Sequence, residues 1–126
     1  MIDNTYNQGF GSEKEVVIYS VTPKGKEGYE MWDGYFENLL RGCYNDKIVK
    51  GGILYGYMTL TEWQDESPWR IENVYLALNE LTLFSEQNMQ PKMDCMSKEL
   101  REIQEKLLIL LKDAVVKGYD VYIEYD

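Results

Sequence analysis

Apolar side chains along the chain switch between a period of two and a period near 3.6, and the switches mark the elements. Val16-Val17-Ile18-Tyr19-Ser20-Val21 is rich in β-branched residues and predicts a strand, closed by Pro23-Lys24-Gly25. From Glu27 to Arg41 the residues Tyr29, Trp32, Phe36, Leu39 and Leu40 recur at helical spacing with Gly42 at the C-cap, which predicts an amphipathic helix. Ile48-Val49, Lys50-Gly51-Gly52 and Ile53 to Leu60 read as a β-hairpin whose glycines supply the turn; Gly56 marks a bulge or a close backbone approach. Ser67-Pro68 offers a hydroxyl cap and a first-turn proline for a helix running to Phe84 or Glu86, with Ile71, Val74, Tyr75, Leu78 and Leu81 on one face. Asn88 to Pro91 breaks it. A third helix, Asp94 to Lys117, carries Met96, Leu100, Ile103, Leu107, Leu110, Leu111 and Ala114 on one stripe and ends at Gly118. Leu108, Ile109, Val115 and Val116 lie on its other sides, so its last turns are expected to be enclosed. Tyr119 to Tyr125 alternates as a final strand.

The order β-α-β-β-α-α-β predicts an α+β fold, a small, mainly antiparallel sheet with three helices on one face. Residues 1–126 are read as a single domain, in which the polar, glycine-containing residues 1–13 form a mobile N-terminal arm. That arm has no basic start followed by an apolar stretch, and the longest aliphatic run, Leu107 to Leu111, is far shorter than a membrane span. Cys43 and Cys95 lack metal or redox spacing and are read as free thiols, Cys43 in the core. The placement these features predict is a reducing cytoplasm.

Composition adds exclusions. With no histidine there is no Ser-His or Cys-His couple and no imidazole metal ligand. The net charge of −9 opposes direct binding to nucleic acid, whose affinity rests on Lys and Arg neutralising phosphates. Gly9-Phe10-Gly11-Ser12-Glu13-Lys14 precedes a strand and lacks the third glycine of a dinucleotide loop. Asp65-Glu66 lacks the spacing of a calcium loop. No cofactor, metal site or catalytic residue is assigned, no motif identifies an activity, and the chain is read as a non-enzyme.

The charge is unevenly placed. Residues 27–40 hold four acids and no base, and residues 61–91 hold six acids and one base, while the remainder nearly cancels. On a helical projection Glu27, Glu30, Asp33 and Glu37 form one acidic strip opposite Tyr29, Trp32, Phe36 and Leu39. In the second segment Glu62, Trp63, Asp65 and Glu66 form an acidic loop around a tryptophan. Beyond it, Trp69, Leu76 and Leu83, seven apart and flanked by Glu72, form a second stripe on their helix. The partner-binding set is therefore Glu27, Glu30, Asp33, Glu37, Glu62, Trp63, Asp65, Glu66, Trp69 and Glu72.

In size, acidity and aromatic content the chain resembles bacterial immunity proteins, which neutralise a cognate toxin. That resemblance implies a small acidic cytoplasmic inhibitor, of immunity-protein or antitoxin type, that binds and blocks a basic partner such as a nuclease toxin. A phage anti-defence inhibitor imitating DNA charge has the same chemistry. Two other classes stand beside it. A carboxylate- and tyrosine-based ligand-binding domain or enzyme calls for a concave pocket holding a carboxylate of raised pKa. A homo-oligomeric module instead uses Trp69, Leu76 and Leu83 across a two-fold axis.

Overall fold

The computed structural model describes residues 1–11, 13–84 and 96–125. Five strands and four helices follow in the order β1 Ile2–Tyr6, β2 Glu15–Thr22, β3 Gly25–Trp32, α1 Asp33–Gly42, α2 Leu54–Thr59, β4 Trp69–Arg70, α3 Val74–Thr82, α4 Ser97–Lys117 and β5 Val121–Tyr125. The sheet order is β1-β3-β2-β5-β4, with β1 parallel to β3 and every other pair antiparallel. The class is α+β, as the patterning predicts, with one more helix and a different order.

Val16, Ile18 and Ser20 of β2 alternate inward, in register with Met31 of β3 and with Val121 and Ile123 of β5. All of these side chains except Ser20 join Phe36, Leu39 and Leu40 of α1 and Leu107, Leu111 and Ala114 of α4 in one hydrophobic cluster, while α3 packs against α4. The inward row of a half-covered antiparallel sheet is apolar for this reason. Gly118 closes α4 in the left-handed region, at φ 73°, and the buried stripe Leu100, Ile103, Leu107, Leu111 and Ala114 runs as its spacing predicts.

The predicted helix over 27–41 is corrected: residues 25–32 are strand, and the helix begins only at Asp33. Pro23 and Lys24 turn the chain so that Thr22 pairs with Gly25, and β3 then pairs with β2 residue by residue as far as Glu15 and Trp32. Tyr29 fits a helical spacing with Trp32 and a strand spacing with Met31, and the ladder offered by β2 decides between them. The predicted hairpin over 48–60 is also corrected, because 54–59 is the helix α2. Glu80 of α3 accepts hydrogen bonds from the Ile53 and Leu54 N–H groups at 2.6 and 3.2 Å, so a side chain distant in sequence caps this helix.

Ser67-Pro68 does not open a helix. Ser67 Oγ accepts the Tyr125 N–H at 3.1 Å, Trp69 and Arg70 pair with Ile123 and Tyr122, and α3 starts at Val74 with Asn73 accepting the Leu76 N–H at 3.0 Å. Trp69, Leu76 and Leu83 therefore belong to β4, α3 and the residue after α3, and share no helical face. The segment read as an arm contains β1, and Phe10 stacks on Trp32 with ring centroids 4.4 Å apart. Ile109 and Val116 are 69% and 75% exposed, so the far side of α4 is not enclosed. The predicted helix start at Asp94, the break at 88–91 and Cys95 lie outside the described residues. Cys43 is buried, and burial pushes its thiol up to about 12.

Gly28 permits the β2–β3 contact: a Cβ there falls 2.1 Å from the Ile18 carbonyl oxygen and 2.5 Å from Tyr19 Cα. Gly28→Ala is expected to lower the unfolding free energy by about 1–3 kcal/mol, the range for overpacking a tight site. Urea denaturation checks it, and an unchanged midpoint contradicts the assignment.

Candidate functional site

Two of the acidic segments converge on one cleft. Asp33 opens α1, its backbone N–H donating to the Lys14 carbonyl at 2.9 Å, and Glu37 follows one turn later. Both carboxylates face the segment from Tyr57 to Gln64, and between them lies a cleft of about 320 Å³. Its remaining walls are Tyr57, Met58, Leu60, Trp63, Gln64 and Tyr125. Glu37 also meets Arg41 at 3.4 Å, an exposed i,i+4 pair that leaves Glu37 within the wall.

Trp63 is a wall fixed by the core. Its indole N–H donates to the Ile53 carbonyl at 2.9 Å, and its ring meets Phe36 and Tyr125 edge-on at centroid distances of 5.3 and 5.4 Å. At 3% exposure it is buried, and it offers the cleft a wall and not a protruding anchor. Gly56 brings the wall together, since a Cβ there lies 2.9 Å from the Thr61 carbonyl oxygen and 3.0 Å from Trp63 Cδ1. The close backbone approach expected at Gly56 is present, in a helix instead of a strand.

The cleft rim stores backbone strain. Leu60 ends α2 at φ 57° and Glu62 follows at φ 55°, both in the left-handed region that non-glycine residues disfavour. Leu60 is nonetheless 71% exposed. The strain holds an aliphatic side chain in solvent at the mouth of an acidic cleft. Beneath it Glu62 is buried, and its Oε1 accepts no hydrogen bond among the described residues.

Burial raises the Asp33 pKa, and the neighbouring Glu37 adds to the shift; Lys14 and the Tyr125 hydroxyl act against it. Tyr125 is raised by burial and then by Asp33 and Glu37. Glu62 is raised by burial, with Lys50 opposing and Glu72 adding. Glu80 is raised by burial in spite of its two backbone donors. The cleft thus holds a carboxylate easier to protonate than usual beside a tyrosine harder to ionise.

The other expected residues are dispersed. Glu27 and Glu30 sit on a strand, three apart and so on opposite faces; Glu27 pairs with the Met1 amino group at 2.9 Å and Glu30 accepts from Asn7 Nδ2 at 2.8 Å. The acidic strip of four therefore reduces to Asp33 and Glu37. Asp65, Glu66 and Glu72 are exposed outside the cleft walls, and Trp69 is half-buried against the core. Tyr57, Met58, Leu60, Gln64 and Tyr125 were not legible as site residues, because their convergence depends on α2, which no local signal announces.

Among the described residues no group of three or more His, Cys, Asp or Glu side chains is arranged to hold a metal ion, and no helix is long and apolar enough to cross a membrane. Compared with protein-family models, curated proteins and solved structures, the chain has no match.

Because Glu62 is raised in the folded state, its ionisation favours unfolding: the contribution is intact below the ordinary carboxylate range and lost as pH rises through the raised value. Glu62→Gln is expected to raise the melting temperature at neutral pH, and the gain should vanish at pH values below that ordinary range. Thermal melts across the acidic range check this. A gain that persists at low pH assigns the effect to packing.

Proposed function

We propose that this protein is a small acidic inhibitor that binds a basic protein and blocks it, in the manner of an immunity protein or antitoxin acting in the cytoplasm. The observation that carries the reading is the convergence of Asp33 and Glu37 with Trp63, Tyr125, Met58 and Leu60 in one cleft. A Lys or Arg side chain has matching chemistry, with a cationic head for the paired carboxylates and an apolar stem for the aromatic and aliphatic walls. The overall charge of −9 supports steering of a basic partner toward the cleft. A nuclease is a suitable partner class, since its substrate site is basic; exposed Asp65 and Glu66 extend the acidic surface beyond the cleft.

A second reading has one observation in its favour. The raised Asp33 in a concave pocket is what a carboxylate- and tyrosine-based ligand site calls for. In that case a small cationic ligand occupies the same walls and no protein partner is needed.

Titration with an arginine-rich peptide, followed by tryptophan fluorescence and compared with free arginine, separates the two. Asp33→Asn with Glu37→Gln is expected to weaken peptide binding about tenfold and to flatten its salt dependence. Binding should also fade as pH drops through the raised Asp33 value, because the cation requires the ionised carboxylate. Peptide affinity unchanged in the double variant removes the cleft as the site, and free arginine binding as tightly as the peptide favours the ligand reading.

A further inference from the structure

On the side of the helical layer facing away from the sheet, α3 and α4 leave an apolar groove of about 540 Å³, walled by Leu78 and Thr82 on one side and by Glu105, Leu108, Ile109 and Lys112 on the other. Ile109 is 69% exposed there. Glu105 and Lys112 make no ion pair among the described residues. We propose that this groove is a self-association surface, covered by α4 of a second copy of this chain running antiparallel to the first.

Charge symmetry is the argument for that occupant. Glu105 and Lys112 stand at equal distances, in opposite directions along α4, from the adjacent pair Leu108 and Ile109. A two-fold axis passing between positions 108 and 109 therefore sets Glu105 of each copy against Lys112 of the other. The same axis brings Leu108 to Ile109 at the centre, and Arg101 to the exposed Val116. No like charges meet in this register, whereas parallel packing sets Glu105 against Glu105 and Lys112 against Lys112. Each protruding Ile109 enters the groove of its neighbour, where Leu78 and Leu108 supply the apolar walls. An unrelated partner has no reason to match opposite charges placed evenly about an apolar centre. A second copy matches them by symmetry. The cleft lined by Asp33 and Glu37 shares no residue with the groove.

Sedimentation equilibrium over a range of micromolar concentrations tests the proposal on four forms of the full chain. The unaltered protein is expected to dimerise. Glu105→Lys places lysine against Lys112, and Lys112→Glu places glutamate against Glu105. Because the axis repeats each contact, either single reversal is expected to weaken the dimer about tenfold or more. Combining Glu105→Lys with Lys112→Glu restores opposite charges across the axis and should restore the dimer. Both sites are on the solvent side of α4, and circular dichroism confirms that each form is folded. A monomeric unaltered chain overturns the proposal. So does a dimer indifferent to the single reversals, which places the interface elsewhere, or a double variant no more dimeric than the singles.

Discussion

The Glu80 carboxylate is the constraint on which the candidate site depends. It is 5% exposed, yet it reaches from α3 to the N–H groups of Ile53 and Leu54 and so fixes where α2 begins. A buried carboxylate is costly unless its lone pairs are engaged, and two backbone donors engage one of its oxygens here. Gly52 leaves it room, since a Cβ there lies 2.3 Å from Glu80 Oε1. With Ile53 held, its carbonyl accepts the Trp63 indole and the returning segment closes the cleft against Tyr125. One acid inside the molecule thus positions the surface on which other acids are displayed.

The acidic residues consequently divide by what they do, a division that net charge conceals. Glu80 organises backbone, Glu62 is buried on a left-handed backbone with its Oε1 unpartnered among the described residues, and Asp33 and Glu37 line the open cleft. Glu27 and Glu30 secure the first strand and the segment after it through Met1 and Asn7. An excess of carboxylates is therefore partly structural here, and only a few of them are placed to meet another molecule.

Legibility in the sequence follows the range of the interactions involved. β2, α4 and β5 carry long, unambiguous periods, and each stands close to where its pattern places it. Residues 25–32 satisfy both periods, and their hairpin partner settles the choice. Ser67 has the chemistry of a cap, but its hydroxyl serves the Tyr125 amide at the sheet edge. α2 depends on Glu80, and Leu60 adopts a left-handed backbone that leucine does not announce. Asp33, Glu37 and Trp63 were recoverable from charge and aromatic placement; Tyr57, Met58, Gln64 and Tyr125 join them only through tertiary contacts.

The interior position of β5, between β2 and β4, has a kinetic consequence. β2 and β3 meet across a two-residue turn, whereas Val16 pairs with Tyr125, nearly the whole described chain away. Closing so large a loop loses more chain entropy than closing a hairpin, and that loss precedes any gain from the ladder. The hairpin is thus the inexpensive template, and registering the last strand against it is the slow step of assembly. Until that step is complete, the outer edge of β2 remains open to pairing with a strand from another molecule.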